Sequence, residues 1–337
     1  MYVLELAGED DAFAAREAAS SCSGVSELAP GLVSARSVSQ IESLALTRRA
    51  SVLIGHTTAT VADARSLLEQ ASIDRTGTVA VRARDVRGTS EVDTQRIERA
   101  LGRVLTRRGF AVDLDAPDHE LRALFSADTC ALGWLTARSV RNFGDRMPTK
   151  RPFFQPGSMD PLLARALVNI AGARPGVRIL DPMCGTGGIL VEAGLVGADV
   201  IGLDVQPKMV HGADKNLNRY LDTGSDSDTE TGSGDILRGN ATRLPFRDGE
   251  IDAIVFDAPY GRQSKIVSSE DEGNANENGL PSLVSASLDE ARRVASRTVL
   301  VADRQWDEVA EATGWTIEGS FERRVHKSLT RYILVLE

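Results

Sequence analysis

The second half of the sequence alternates short apolar segments with segments of helical length. From Arg178 onward, apolar runs such as VIGL, AIVF and TVLVA alternate with longer amphipathic segments. Strands that are apolar along their whole length are typical of a parallel sheet with helices packed on both faces. Ligands of such α/β sheets bind beyond the carboxyl ends of the strands, so functional side chains are expected there.

This alternation also sets the predicted bounds of the elements. The predicted strands are 178–182, 199–204, 236–241, 252–257, 298–302, 316–323 and 330–336, and the predicted helices are 187–197, 207–220, 281–294 and 306–313. Two segments, 222–234 and 268–279, are too polar to pack in a core. We expect them to form mobile loops.

A glycine-rich turn follows the first of these strands, in the segment DPMCGTGG that starts at Asp181. Its glycines let the backbone approach a ligand, but the third glycine of a dinucleotide motif falls on Leu190. The strand ends in an acid, which suits a cationic amino group better than a pyrophosphate. Nineteen residues after Gly185 the second strand ends in Asp204, placed to accept hydrogen bonds from both ribose hydroxyls of an adenosine. A cofactor with a ribose, an ammonium group and no phosphates is S-adenosylmethionine (SAM).

The fourth strand ends in the segment DAPYG, which begins at Asp257. A carboxylate followed by proline and an aromatic ring suits a planar amine. Asp257 and the carbonyl of Ala258 would accept the two amine hydrogens, while Tyr260 stacks on the ring. In isolation the segment would be interpreted as a turn with a capping acid and a core tyrosine. Its place four strands into a SAM-type sheet favours the amine site.

The total charge argues against a nucleic-acid partner, but the distribution of charge does not. The formal net charge is -9, and only five of the 39 basic residues are lysines, which suits a salt-adapted cytoplasm. Total charge therefore reflects habitat as well as ligand. Between Arg75 and Phe110, nine arginines stand against four acids and give a local net charge of +5. This local excess is a signal for a nucleic-acid partner.

A predicted helix over 94–108 carries several of these arginines on one face. The arginines at i, i+3, i+7 and i+11 are Arg96, Arg99, Arg103 and Arg107, and the apolar residues of the opposite face are Ile97, Leu101, Val104 and Leu105. Such a face is either solvated and paired with acids or binds phosphates. Only Glu98 offers a nearby acid, so both interpretations stay open. Arg82 and Arg84, in the preceding predicted strand, complete the candidate RNA-binding set.

The first half of the chain has the pattern of an α+β region. The predicted strands are 2–6, 52–55, 78–84, 110–114 and 121–125, and the predicted helices are 11–20, 41–49, 60–70 and 94–108. A second basic stretch, 138–151, contains Gly144 and Pro148, which suit a connection between domains. We therefore place a domain boundary near 145–152.

Six segments, in this order, resemble the archaeal tRNA (guanine-10-N2)-methyltransferase family. They are RPFFQPGSMDP (151–161), ILDPMCGTGG (179–188), IGLDV (201–205), GNATRLPF (239–246), DAPYG (257–261) and HKSLTR (326–331). The resemblance covers nearly the whole chain, is strong over 151–261 and is only architectural in the first half. It implies a ferredoxin-like domain at 1–51, a THUMP RNA-binding domain at 52–145, a linker at 146–152 and a Rossmann-like SAM-dependent methyltransferase domain at 153–337.

The resemblance also implies roles for individual residues. The methionine part of SAM would be held by Asp181 and by the turn containing Gly185 and Gly187, the ribose by Asp204, and the adenine by Asn240 and Ala241. Asp257, Pro259 and Tyr260 would hold the target guanine as the catalytic residues. The family usually has proline at Ala258, where the backbone carbonyl is used, and often aspartate at Asn240, whose amide oxygen can still accept a hydrogen bond from adenine.

The expected function is methylation of the exocyclic N2 amine of a flipped guanine in tRNA, at G10, once and then twice, with SAM as methyl donor. Three alternatives stay open: another guanine in tRNA or rRNA, an amino group of DNA, and a non-catalytic RNA-binding protein with a retained SAM fold. The THUMP-like first half disfavours DNA. We expect a monomer without a metal.

The N-terminus and the cysteines bear on location and on metal binding. The N-terminus is acidic, and no run of about 18 apolar residues occurs, so a signal peptide or membrane span is not expected and the location should be cytoplasmic. The three cysteines are widely spaced and lack a C-x-x-C pair, which disfavours zinc and disulfides.

Five further residues have two interpretations each. Cys184 is either a nucleophile or, as we favour, a small residue in a glycine turn. His326 and Arg331 either reach the substrate or a phosphate, or cap two strands. Phe153 and Phe154 either pack on SAM or close the domain core.

Overall fold

The computed structural model describes residues 1–221, 231–260, 279–326 and 329–337. These residues fall into two compact units, unit 1 (Met1–Val140) and unit 2 (Arg141–Glu337). Of the predicted mobile loops, residues 222–230 and 268–278 lie outside the described ranges.

Unit 1 is an α+β fold. Its strands are β1 (Tyr2–Leu6), β2 (Cys22–Ser23), β3 (Ser26–Ala29), β4 (Leu32–Ala35), β5 (Ser37–Val38), β6 (Thr47–Thr58), β7 (Thr78–Asp85), β8 (Ala111–Val112), β9 (His119–Ser126) and β10 (Thr129–Arg138). Its helices are α1 (Asp11–Ala18), α2 (Val61–Gln70) and α3 (Thr94–Arg107). Among the described residues, eight strands form one sheet in the order β3-β4-β1-β6-β10-β9-β7-β8, and β2 pairs with β5.

The strand β6 corrects two predictions. The helix expected over 41–49 is wrong: a short 3-10 turn covers Ile41–Ser43, and β6 starts at Thr47. The backbone of Thr47 and Arg49 pairs with β1, which removes this segment from any helix. Because β6 pairs with β1 on one side and β10 on the other, one sheet runs across the domain boundary predicted at 51/52. The strand β10 was not expected at all.

The helix α3 has the two faces predicted for it. The Asp93 side chain caps its start by accepting the backbone N–H of Arg96 at 3.0 Å. The apolar residues Ile97, Leu101, Val104 and Leu105 are buried. The four arginines of the opposite face are exposed, so the helical spacing alone located both surfaces.

Unit 2 is an α/β fold. Its strands are β11 (Arg178–Asp181), β12 (Asp199–Asp204), β13 (Gly234–Arg238), β14 (Ala253–Asp257), β15 (Thr298–Ala302), β16 (Ile317–His326) and β17 (Leu329–Leu336). Its helices are α4 (Pro161–Ala171), α5 (Gly188–Gly194), α6 (Pro207–Leu221), α7 (Leu280–Val294) and α8 (Asp307–Ala312).

The sheet of unit 2 is Rossmann-like, as predicted, but it is not wholly parallel. Its order is β13-β12-β11-β14-β15-β17-β16. The pairs among the first five strands are parallel, whereas β17 is antiparallel to both β15 and β16. The order reverses between β11 and β14, because β12 follows β11 along the chain but lies on its other side. A ligand crevice is expected at such a reversal, at the carboxyl ends of the strands.

The helix α4 was not expected from the alternating pattern. Asp160 caps its start by accepting the backbone N–H of Leu162 at 2.8 Å, Pro161 is its first residue, and Gly172 ends it with φ of 92°. This is the usual placement of proline and glycine at helix ends. Nearly every residue of the helix is buried, so its sequence lacks the polar face that would have marked it as an amphipathic helix.

The segment predicted as a linker, 146–152, packs within unit 2. Arg146 and Arg151 are both buried there, and the boundary between the two units lies at Val140. The predicted boundary is therefore too late, because Arg146 pairs with the buried carboxylate of Glu192 on α5. Within the described ranges, no helix combines the length and apolarity needed to span a bilayer.

Candidate functional site

A cleft of about 540 Å³ opens at the carboxyl edge of the unit 2 sheet. Asp181 at the end of β11 and Asp257 at the end of β14 both line it. These strands are neighbours and parallel, so their ends meet at one edge. The other lining residues come from the segment 155–159, the glycine turn after β11, the start of α6 and the segment after β14: Gln155, Pro156, Gly157, Ser158, Met159, Met183, Cys184, Gly185, Thr186, Gly188, Ile189, Gln206, Lys208, Met209, Ala258, Pro259 and Tyr260.

The glycine turn requires glycine at two positions. Gly185 and Gly187 have φ of 51° and 73°, in the left-handed region that other residues rarely adopt. The backbone N–H of Gly185 donates to Oδ2 of Asp204 at 3.1 Å, and that of Gln206 donates to Oδ1 at 2.8 Å. Asp204 therefore shapes the turn as well as standing at the end of β12, a second role that the sequence did not indicate.

Asp181 is a buried carboxylate at the floor of the cleft. Its Oδ1 accepts the backbone N–H of Met183 at 3.0 Å. Burial raises its pKa well above the ordinary value, and the nearby charges of Asp257 and Asp204 raise it further. A cation placed beside this carboxylate would relieve both effects. The ammonium group of SAM is such a cation, so the site fits the group expected from the sequence.

Asp204 is also largely buried, and burial raises its pKa despite the two backbone hydrogen bonds. Each carboxylate oxygen accepts one backbone N–H, which leaves a lone pair on each for a ribose hydroxyl. Among the described residues, no group of three or more His, Cys, Asp or Glu side chains is arranged to hold a metal ion.

Asp257, Tyr260 and Arg331 form a connected group on the other wall. The Tyr260 hydroxyl donates to Oδ1 of Asp257 at 2.7 Å, and Nε of Arg331 donates to the same hydroxyl at 3.0 Å. Nη2 of Arg331 lies 3.6 Å from Oδ2 of Asp257. Tyr260 thus has a polar role in addition to the stacking predicted for it. The sequence left the role of Arg331 open, and the structure places it at the predicted amine site.

The pKa values of this group follow from burial. Burial raises the pKa of Asp257 to about 6, while Arg331 and the Tyr260 hydroxyl act against that rise and Asp303 adds to it. Burial raises the pKa of Tyr260 above its ordinary value, and the negative charge of Asp257 raises it further. At neutral pH the carboxylate is therefore ionised and the phenol is protonated, as the hydrogen bond between them requires.

The predicted adenine residues lie after β13. Oδ1 of Asn240 accepts both the backbone N–H and the hydroxyl of Thr242, each at 3.0 Å. These two bonds use the amide oxygen that the sequence assigned to adenine, and Nδ2 is a donor rather than an acceptor. Asn240 is exposed and Ala241 is buried. Neither residue lines the cleft described above.

The lesser candidates have different surroundings. Cys184 is buried, and burial raises its pKa well above the ordinary value, so it stays a thiol and is not an activated nucleophile. Phe153 packs closely against Gly212 of α6, where an added Cβ would lie 2.0 Å from the ring. Phe154 is exposed. The side chain of His326 lies outside the described residues.

The predicted RNA-binding arginines of unit 1 differ from one another. Those of α3 are exposed, and the carboxylate of Glu98 accepts the backbone N–H of Ala83 at 2.9 Å instead of pairing with them. Arg82 donates to the carbonyl of Leu114 at 2.5 Å. Arg84 forms an ion pair with the buried Glu5. Arg84 therefore has a structural contact that the sequence did not indicate.

A buried ionic cluster in unit 2 was also missed. Glu192 of α5 is fully buried and pairs with Arg146 at 2.6 Å and with Arg165 of α4 at 2.8 Å. Both guanidinium groups lie over the ring of Phe143, at 5.4 and 5.8 Å from its centroid. The acid within the apolar helix segment ILVEAG is the sequence signal that could have located the cluster.

The chain is similar to known methyltransferases. Residues 148–333 match the UPF0020 family model, described as an RMKL-like methyltransferase domain. The tRNA (guanine(10)-N2)-dimethyltransferase of Methanothermobacter thermautotrophicus is 38% identical over 77% of this chain and 72% of that protein. The protein of the same name from Pyrococcus abyssi is 31% identical over 77% and 74%.

A third relative is named for a different position. The tRNA (guanine(6)-N2)-methyltransferase of Thermus thermophilus is 31% identical over 56% of this chain and 53% of that protein. The family model covers more than half of the chain, and the first two relatives cover more than two thirds. The chain therefore belongs to the family of the tRNA (guanine(10)-N2)-dimethyltransferases, with an RMKL-like methyltransferase domain at residues 148–333.

Proposed function

We propose that this enzyme methylates the N2 amine of guanine 10 in tRNA, first to the monomethyl and then to the dimethyl product. One observation carries the proposal: Asp181, with the glycine turn, and Asp257, with Tyr260, line the same cleft. A site for a cationic cofactor thus adjoins a site for a planar amine. The names of the two relatives that match most of the chain support tRNA as substrate and position 10 as target.

On this proposal the cofactor occupies the wall formed by β11 and β12. SAM supplies an electrophilic methyl group. Asp181 would accept hydrogen bonds from the ammonium group, and Asp204 from the ribose hydroxyls. Gly185 and Gly187 allow the backbone of the turn to approach the ligand closely. Ala241, beside Asn240, would pack near the adenine.

The target guanine would occupy the wall formed by the segment after β14. Asp257 would accept one hydrogen of the amine. The backbone carbonyl of Ala258 would accept the second hydrogen, which only the unmethylated amine carries. Pro259 restricts the backbone between them, and the ring of Tyr260 stacks on the base. Attack by the nitrogen would form the N–C bond as the S–C bond of SAM breaks, which leaves S-adenosylhomocysteine. The carboxylate of Asp257 would stabilise the positive charge on the nitrogen until the nitrogen releases its proton to solvent.

Guanine N2 is base-paired in a helical stem, so the base must be flipped out to reach the cleft, at a cost of a few kcal/mol. Stacking on Tyr260 offsets part of that cost. We propose that the exposed arginines of α3, with Arg82, contact tRNA phosphates, and that the THUMP region expected at 52–145 binds the tRNA. The substrate implies a cytoplasmic enzyme.

The proposal predicts a large loss of turnover in Asp257→Asn. The substitution keeps the shape and removes the charge, so single-turnover methyl transfer to tRNA should fall by roughly 10²–10³-fold. SAM affinity, measured by calorimetry, should stay nearly unchanged because Asp181 and Asp204 are intact. Asp235→Asn, an exposed aspartate of β13, is the matched control and should transfer methyl at the wild-type rate.

The product identifies the position. Nuclease digestion and mass spectrometry of the methylated tRNA should locate N2-methylguanosine and N2,N2-dimethylguanosine at position 10. Modification at position 6 instead would move the target to that named for the Thermus relative. Wild-type transfer by Asp257→Asn would make Asp257 a structural turn residue.

A further inference from the structure

Arg331 of β17 is a buried cation with three polar contacts at the substrate wall. It is 4% exposed. Its Nε donates to the Tyr260 hydroxyl at 3.0 Å, its Nη2 lies 3.6 Å from Oδ2 of Asp257, and the same Nη2 donates to the carbonyl of Gly157 at 3.4 Å. Gly157 lines the cleft from the opposite segment. One guanidinium therefore links two segments that line a single cleft, residues 155–159 and residues 257–260.

This burial distinguishes Arg331 from a phosphate-binding arginine. A side chain that contacts the RNA backbone must reach solvent, as the arginines of α3 do, whereas Nε and Nη2 of Arg331 contact protein acceptors. Removing a buried hydrogen-bonded cation leaves its partners without a donor. Arg331 thus acts on the residues that would contact the base.

We propose that Arg331 is a positioning residue for methyl transfer: it holds the Tyr260 hydroxyl and the Asp257 carboxylate as one unit with a fixed orientation. This inference rests on the proposed function and names a further residue of the same site. The planar fork of arginine supplies donors in fixed directions. Nε sets the position of the phenol, and Nη2 places positive charge beside the carboxylate.

The arrangement leaves one carboxylate oxygen for the substrate. Oδ1 of Asp257 accepts the Tyr260 hydroxyl at 2.7 Å. Oδ2 is the oxygen nearer to Arg331, at a distance longer than a hydrogen bond. Oδ2 is therefore the acceptor for an amine hydrogen. A single acceptor suits both substrates of a two-step methylation, because the monomethylated amine keeps one hydrogen.

The charges that face Asp257 give the inference a pH signature. Arg331 and the Tyr260 hydroxyl favour the ionised carboxylate of Asp257, while Asp303 disfavours it. The charge of Asp257 in turn raises the pKa of Asp181. Activity requires the ionised form, so it should fall as pH drops through about 6. Removing the positive charge of Arg331 raises the pKa of Asp257 and moves this acid limb to higher pH.

The test uses Arg331→Gln and Arg331→Lys in the full-length protein. Single-turnover transfer to tRNA is measured from pH 5 to pH 9 with saturating enzyme and SAM. Gln removes the charge, so the midpoint of the acid limb should move to higher pH by about 1 unit or more, the range for loss of an opposite charge at this distance. Lys keeps the charge and loses the fork, so its acid limb should stay in place while its plateau rate falls by roughly 10–10²-fold through misplacement of the base.

Tyr260→Phe provides a second measurement. It removes the hydroxyl through which Nε acts, so Arg331→Lys should cost much less in the Tyr260→Phe background than in the wild type. Arg247→Gln, an exposed arginine of unit 2, is the control and should leave both the acid limb and the plateau unchanged.

Two results would overturn the inference while leaving the function intact. One is an unchanged acid limb in Arg331→Gln together with weaker tRNA binding, which would make Arg331 a phosphate contact. The other is full additivity of Arg331→Lys and Tyr260→Phe, which would make Arg331 a general structural residue. If the wild-type enzyme itself forms no N2-methylated guanine in tRNA, the proposed function fails instead, before any variant is compared.

Discussion

The arginines of α3 and the arginines around Glu192 are the same residue type in opposite environments. On α3, the side chains of Arg96, Arg99, Arg103 and Arg107 are exposed, and the nearest acid on the helix bonds to the backbone of Ala83. In unit 2, Arg146 and Arg165 are buried against one fully buried carboxylate. A count of positive charges along the sequence treats both groups alike.

The difference separates cations that are available to a partner from cations that the fold has already neutralised. Exposed guanidinium groups without a carboxylate can exchange counterions for phosphates. Buried groups are fixed by ion pairs whose removal leaves an uncompensated charge. Arg84 lies between these cases, since it is half-exposed but pairs with the buried Glu5. Burial and pairing, rather than charge, therefore identify the candidate RNA face.

The comparison predicts its largest effect at the centre of the buried cluster. Glu192→Gln leaves two buried guanidinium groups facing a neutral amide, so the free energy of unfolding should fall by about 3–5 kcal/mol. Urea unfolding followed by tryptophan fluorescence measures the change. Glu311→Gln, at an exposed acid of α8, should stay within about 0.5 kcal/mol. A loss below about 1 kcal/mol for Glu192→Gln would show that the cluster is not held by its charge.

The exposed face should show the opposite response. Replacing Arg96, Arg99, Arg103 and Arg107 together by glutamine should raise the Kd for tRNA by roughly 10²-fold and reduce the slope of log Kd against log salt by about 3. The free energy of unfolding should change by less than about 1 kcal/mol, because these side chains are exposed and form no ion pair with any residue that the structure describes. An unchanged salt slope would assign the face to solvent.

The smallest effect is expected for an exposed ion pair on the neighbouring helix α2. Nε of Arg65 lies 2.8 Å from Oε1 of Glu69, and both side chains are more than two-fifths exposed. Arg65→Gln should lower the free energy of unfolding by only about 0.3–0.5 kcal/mol. In filter binding, the tRNA affinity should match that of the wild type. A tRNA defect as large as that of the α3 variant would mean that general positive charge, rather than one helix face, binds RNA.

Local patterns predicted the strands that are apolar along most of their length. The bounds of β12 and β15 match the sequence prediction, because each is an apolar run ended by polar or helix-starting residues. The 41–49 segment was assigned wrongly because strand pairing with β1, a contact between distant residues, decides its state. The same applies to the antiparallel β17, whose direction depends on a hairpin rather than on its own composition.

The site divides in the same way. Asp181, Asp204 and Asp257 could be proposed from the sequence because each stands at the end of a predicted strand, and parallel strands bring their carboxyl ends together. The contact between Arg331 and Tyr260 spans 71 residues, and no spacing rule reports it. The local hydrogen bonds of Asn240 were equally hidden, since an asparagine side chain can bond either to its own turn or to a ligand.

The position of β17 in its sheet sets an order of events during synthesis. This strand is made after every other strand of the sheet, yet it lies between β15 and β16. Until residues 329–336 have left the ribosome, β15 lacks its neighbour on that side and exposes an unpaired strand edge, which favours association with other chains. A nascent chain that stops short of this strand already carries Asp181 and Asp257 of the cleft but lacks Arg331. Arg331 is therefore added to the substrate wall only when β17, the last strand of the sheet to be synthesised, pairs with β15.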